Sequence, residues 1–213
     1  MKIIKKPVGL LAANCYLLVS EQENAAVIDP GGDADVIMDL LREHKLSLAM
    51  ILLTHGHFDH IGGLFGLHNA FPGVPVYIQQ ADGEMLTDPV KKLSADLGMP
   101  YSPIRDFIPL ADGDTLTLDE LTIRLMHVPG HSKGSSVYLV GEAMFSGDTL
   151  FRGSIGRHDL YGGDYQTIVR SLSRLAALDG DYTVYPGHGE DTTLGYERRT
   201  NPYLGMMSYD DYL

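Results

Sequence analysis

Four side chains able to bind metal lie within six positions of the segment THGHFDHIGG, residues 54–63: His55, His57, Asp59 and His60. Neutral imidazole and carboxylate are ligands that Zn²⁺ or Fe²⁺ accept. His55 and His57 are two residues apart, so a tight loop can point both at one ion. Asp59 and His60 follow a turn later and can reach a second. Three more candidates also sit next to glycine: His131 in PGHSKG, Asp148 in SGDTLF and His188 in PGHG. His131 and His188 complete one trio each, and Asp148, with two oxygens, can bridge. A cation pair about 3.5–4 Å apart that shares a hydroxide is a hydrolytic arrangement. The expected cofactor is two divalent metal ions, zinc first, with iron or manganese as alternatives.

The chain has nine histidines, and the other four read differently. His44 closes a helix, where its charge meets a favourable dipole. His127 lies in a strand-like run and reads as packed or supporting. His68 and His158 have no partner pattern. The single cysteine, Cys15, reads as a small buried apolar residue. With no second cysteine to pair with, it favours a reducing compartment.

These residues need a frame that brings them together. Short apolar runs bounded by Gly, Pro or Asp predict strands at 14–20, 25–29, 49–54, 121–128, 136–140 and 183–186. Helical periodicity appears in DADVIMDLLREHK, with Asp33 as N-cap and Val36, Ile37, Leu40 and Leu41 on one face. DYQTIVRSLSRLAAL repeats the pattern with Ile168, Leu172 and Leu175, and PVKKLSADLG is a shorter helix closed by Gly98. Two rounds of strands followed by helices predict mixed α/β layers. The metal candidates fall just after the strands, where such proteins assemble sites.

Composition narrows the classes. The 213 residues carry a net charge of −12, the wrong sign for a nucleic-acid binder. No run of about 20 apolar residues is present, so no membrane span is expected. MKIIKKPVGLL lacks the apolar run and cleavage site of a signal peptide. A cytoplasmic protein with a small-molecule partner is the expectation.

The motif set resembles the metallo-β-lactamase superfamily. Its HxHxDH signature appears as His55–His60, followed by PGH at 129–131, GDTLF at 147–151 and PGHG at 186–189. DPG at 29–31 fits too, and the resemblance implies that Asp29 orients a ligand imidazole. The likeness spans nearly the whole chain. It implies an α/β fold, a four-layer αββα sandwich formed by residues 1–213 as one hydrolase domain, with the metals at one edge.

Within the superfamily, GDTLFRGSIGRHDL and GHGEDTTLGYERRTNPYL resemble the short single-domain hydrolases related to glyoxalase II. That implies hydrolysis of a thioester such as S-lactoylglutathione by a metal-bridging hydroxide, with Asp59 orienting it. The family holds glutathione with a lysine and a tyrosine after the bridging aspartate, and with a helical C-terminal extension. Here Arg157 takes the lysine-like place, Asp159 takes the tyrosine's, and the chain ends at Leu213. The likeness therefore reaches further for the chemistry than for glutathione itself.

Arg157, Lys133 and Arg152 are the cations expected to attract an anionic substrate; a loop salt bridge from Arg157 to Asp159 or Asp164 is the structural alternative. Rival activities on this scaffold are a persulfide dioxygenase, another ester or lactone hydrolase, and a metal-binding module without catalysis. The first rests on the GRxD-like stretch Gly156–Asp159 and would place one iron on His55, His131 and Asp148.

Overall fold

The computed structural model describes residues 1–93 and 103–204. Two six-stranded sheets stack face to face. The first keeps chain order: β1 (Lys2–Val8), β2 (Ala13–Val19), β3 (Asn24–Ile28), β4 (Ser47–Leu53), β5 (Val76–Gln79) and β6 (Ile108–Leu110). The second is built from β7 (Thr115–Leu118), β8 (Leu121–His127), β9 (Ser136–Val140), β10 (Ala143–Gly147), β13 (Thr183–Pro186) and β14 (Thr192–Thr193). Its order is β14-β13-β10-β9-β8-β7. A two-stranded hairpin, β11 (Leu150–Phe151) and β12 (Ser154–Ile155), stands apart.

β2, β3 and β9 are apolar at nearly every position because both of their faces are buried, whereas β8 leaves Thr122 and Arg124 exposed. Side chains alternate across a strand, and the clusters follow that period. In β2, Tyr16 and Leu18 point between the sheets, while Cys15, Leu17 and Val19 point outward. In β9, Tyr138 and Val140 point between the sheets and Val137 and Leu139 outward. The inter-sheet core also holds Ile28, Leu52, Ile123 and Phe145.

Helices cover both outer faces. α1 (Ala34–Glu43) and α3 (Leu64–Ala70) pack on the first sheet through Ile37, Leu41, Leu64 and Leu67. α4 (Tyr165–Ala176) and α5 (Leu194–Thr200) pack on the second through Ile168, Leu172, Leu175 and Leu194. The layers are therefore α, β, β, α, as the resemblance implied. No helix among the described residues is long and apolar enough to cross a membrane.

Some expectations change in detail. The buried face of α1 is Ile37 and Leu41, with Ala34, Met38 and Leu40 beside them, and Val36 stays outside this cluster. Asp33 stands at the N-cap but does not cap, because its carboxylate accepts from Gly9 N instead. Asp164 does cap α4, accepting from Thr167 N. The helix expected over 89–98 is a turn through residue 93, and its remainder lies outside the described residues. β1 went unread because it is an edge strand, its core pattern broken by the lysines and proline that discourage edge pairing.

Phe145 anchors the central core. It is 1% exposed, meets the Tyr16 ring edge-on at 5.4 Å and stacks on Tyr185 at 5.3 Å. Phe145→Ala is expected to lower stability by about 3–5 kcal/mol, read as a shift in the urea midpoint. An unchanged midpoint would mean that the sheets do not depend on this contact.

Candidate metal centre

Four strand exits build the site. β4 runs into Thr54, His55, Gly56 and His57, and the short helix α2 (Phe58–Ile61) carries Asp59 and His60. The loop after β8 supplies His131, the residue after β10 is Asp148, and the loop after β13 supplies His188. The last loop passes so close that only glycine fits at 187. A Cβ there would lie 2.2 Å from Asp148 Oδ1 and 2.6 Å from His60 Cε1.

All seven predicted ligand candidates converge. His55, His57 and His131 form one trio, and Asp59, His60 and His188 a second. His57 Nδ1 is 2.9 Å from His131 Nε2, which is 3.3 Å from His55 Nε2. In the second trio His188 Nε2 lies 3.1 Å from Asp59 Oδ2, and His60 Nε2 lies 3.7 Å from that oxygen. Asp148 stands between the trios. Its Oδ2 is 3.7 Å from both His131 Nε2 and His188 Nε2, and its Oδ1 is 3.3 Å from His60 Nε2.

The donor set fits divalent cations. His60 Nε2 and Asp148 Oδ1, which face each other in the site, are buried without a hydrogen-bond partner, a costly state unless something else satisfies such atoms. Imidazole nitrogens and carboxylate oxygens in this mixture suit zinc, iron or manganese.

A family model described as the metallo-beta-lactamase superfamily matches residues 8–188. The chain belongs to the metallo-beta-lactamase superfamily. Hydroxyacylglutathione hydrolase GloC of Haemophilus influenzae is 36% identical over 209 residues, covering 95% of this chain and 97% of that protein. The crystal structure of BLEG-1 B3 metallo-beta-lactamase superposes with a TM-score of 0.89 at 36% identity, covering 95% of this chain and 99% of the other. That of TTHA1623 in a di-iron-bound form gives 0.84 at 37% identity, covering 94% and 100%. The superfamily is one of metallo-hydrolases, and the donor set agrees with that chemistry.

Within this superfamily frame, outer hydrogen bonds fix which nitrogen of His60, His55 and His131 faces inward. Asp29 Oδ2 accepts from His60 Nδ1 at 2.9 Å and from Thr54 Oγ1 at 2.6 Å, and Oδ1 accepts from Thr54 N at 2.8 Å. The Thr54 proton being committed to Asp29, His55 Nδ1 donates to Thr54 Oγ1 at 3.0 Å. One carboxylate thus turns two imidazoles, leaving each Nε2 lone pair free. His131 Nδ1 donates to the carbonyl of Arg157 at 2.6 Å, with the same result.

Asp82 was missed in the sequence. It is wholly buried and accepts from Gly56 N, Ser132 Oγ and Gly134 N, tying the His55–His57 loop to the His131 loop. Its partners are 26 to 52 residues away, so no local spacing reveals it. Thr54 could have been suspected, as the one polar β-branched residue closing the run AMILLT.

Burial and the neighbouring imidazoles hold His55 well below the usual range and push His57 down to about 3. Burial also works against a charged His60, but Asp148 and Asp29 outweigh it and raise its pKa. Asp59 raises His188 against burial. Asp148 is pushed up by burial, yet His60, His131 and His188 hold it low.

The three cations expected to meet substrate are all engaged. Arg157 makes a two-point pair with Asp159, at 2.8 and 2.9 Å. Lys133 Nζ donates to Glu84 Oε1 at 3.1 Å and Tyr161 OH at 2.9 Å. Arg152 pairs with Glu190. Of the other histidines, His127 Nε2 bonds the Lys133 carbonyl, His158 packs on Tyr165, and His44 and His68 lie on or beside helices away from both trios.

Two predictions follow from this geometry. Asp29→Ala releases His60 and, through Thr54, His55, and should weaken metal affinity by about 10–100-fold, measured by competition with a chromophoric chelator. Unaltered affinity would show that the imidazoles are held by other means. Protons compete with metal for the inward nitrogens, and His60 and His188 of the second trio hold theirs to higher pH than His55 and His57 of the first. Acidification should therefore strip the second equivalent at a higher pH than the first, as followed by metal content after dialysis.

Proposed function

We propose that the chain is a dinuclear metallo-hydrolase acting on thioesters such as S-lactoylglutathione. The observation that carries this reading is the position of Asp148, with one oxygen 3.7 Å from a nitrogen of each trio. In this reading His55, His57 and His131 would hold one divalent cation and Asp59, His60 and His188 the other, with Asp148 available to both. Zinc is the expected metal, with iron or manganese as alternatives. Bound there, the pair would make hydroxide available near neutral pH and polarise a carbonyl.

The chain's own residues do the rest. Asp29, Thr54 and the Arg157 carbonyl keep protons on the outer ring nitrogens, so the inner ones remain donors. Asp59, 12% exposed, accepts a hydrogen bond from the attacking water and orients it. His188, 30% exposed, marks the open side of the site. The other four imidazoles are at most 2% exposed, and so exclude bulk water from the inner side.

A thioester asks for no dedicated proton donor. Its thiolate has a solution pKa of about 8.5 and leaves unaided, whereas the amine of a lactam needs a proton. The hydroxyacylglutathione hydrolase among the relatives supports this substrate class. Arg157, Lys133 and Arg152 follow closely on candidate ligands in the chain. Exposed pairs of this kind are weak, so a substrate carboxylate can exchange into one.

The test pairs metal analysis with thiol release from S-lactoylglutathione. Two metal equivalents and a thiol-releasing activity abolished by chelation are expected. Asp148→Ala should lower kcat by about 100-fold or more and cost one metal equivalent. Arg157→Ala should raise KM for charged thioesters more than it lowers kcat. Oxygen uptake with glutathione persulfide, with no thiol release from the thioester, would replace this reading by the single-iron dioxygenase. Turnover of a β-lactam alone would move it to a lactamase.

A further inference from the structure

The segment YERRTNPY, residues 196–203, carries part of the family resemblance yet supplies no candidate ligand. Its structure gives it a task. Glu197, in α5, is wholly buried. Its Oε1 accepts from Thr192 Oγ1 at 2.6 Å, and its Oε2 accepts from Gly153 N at 2.8 Å and from Asn201 Nδ2 at 2.8 Å. All three donors are neutral. Asn201, one helical turn on and 3% exposed, also reaches the carbonyls of Ser154 at 3.1 Å and Phe151 at 3.4 Å.

These bonds join two pieces of chain that leave the site. Gly153 and its neighbours form the turn of the β11–β12 hairpin, which begins two residues after Asp148. Thr192 opens β14, four residues after His188. Within the hairpin, the Phe151 ring meets the His188 ring edge-on at 6.3 Å. His188 is the most exposed of the five imidazoles, so it has the least packing of its own.

We propose that Glu197 and Asn201 are positioning residues for the second cation site. They clamp the exit strand of Asp148 to the exit strand of His188, and hold Phe151 against the His188 ring. The inference rests on the dinuclear reading above and concerns only the Asp59, His60, His188 trio and its shared Asp148. The clamp works through hydrogen-bond acceptors rather than charge. Glutamine can keep its oxygen on Gly153 and Asn201 while its amide donates to a reoriented Thr192 hydroxyl. Alanine loses all three bonds.

The experiment titrates metal-depleted full-length protein with Co²⁺, following stoichiometry and the visible d–d spectrum, with no substrate present. Wild type should take up two equivalents. Glu197→Ala should weaken the second by about 10–100-fold and leave the first unchanged. Glu197→Gln should stay within about threefold of wild type, since it keeps the same contacts. Thr192→Val removes one bond only and should move the second equivalent in the same direction by less, which covers the case of an alanine variant that does not fold. The proposal is overturned if Glu197→Ala or Thr192→Val binds both equivalents as wild type does, or if either weakens both equally. A wild type that takes up a single equivalent refutes the dinuclear reading instead.

Discussion

Buried lone pairs that face one another are the constraint around which this molecule is organised. Five imidazoles and two carboxylates point at a common region, and ring nitrogens approach to 2.9 Å with at most one proton to share. Such a cluster cannot hold itself together. The scaffold must impose it, and it does so with outer hydrogen bonds. Asp29 serves His60 directly and His55 through Thr54, and the Arg157 carbonyl serves His131. Asp82 ties together the loops that carry the first trio. The rigid frame behind these bonds is the pair of sheets, whose core fixes where each strand ends.

The two trios are not equivalent in their surroundings. The first is sealed, and burial dominates the electrostatics of His55 and His57, so these two stay neutral. The second is bordered by acidic groups and opens to solvent at His188. Asp148 belongs to both environments, buried against the imidazoles yet held ionised by them. A site built this way disfavours the proton at His55 and His57 and favours it at His60 and His188. The exposed ion pairs of Arg157, Lys133 and Arg152 lie on chain segments leaving this region and are weak enough to rearrange.

Much of this could be read from residue types and spacing. His55, His57, Asp59 and His60 announce themselves because they are close in sequence. His131, Asp148 and His188 do so because each ends an apolar run beside glycine. Most interior strands were legible since burial leaves few polar positions in them, whereas β5, only four residues long, and β10, whose AMFSG ends in Ser and Gly, went unread. What escaped depends on distance along the chain or on weak patterning. Asp82 acts on partners that no local window contains, Glu197 reaches Gly153 from 44 residues away, and β1 hides its core face among edge lysines. Asp33 illustrates a different failure. Its position suits a cap, but its backbone is left-handed and Gly9 N, 24 residues away in the chain, takes the carboxylate.

The candidate ligands divide between the sheets. Four follow β4, in the first, and three follow strands of the second. Tyr16 and Asn14, in the first sheet, also grip the Pro186 carbonyl beside His188, and Tyr138 of the second grips that of Leu53. Neither half therefore owns a complete site. A cation spanning the seam would bind only the assembled sandwich, and would stabilise it in proportion to its free concentration. The seam is thus both workplace and rivet: the same ion that reacts would keep the halves from parting.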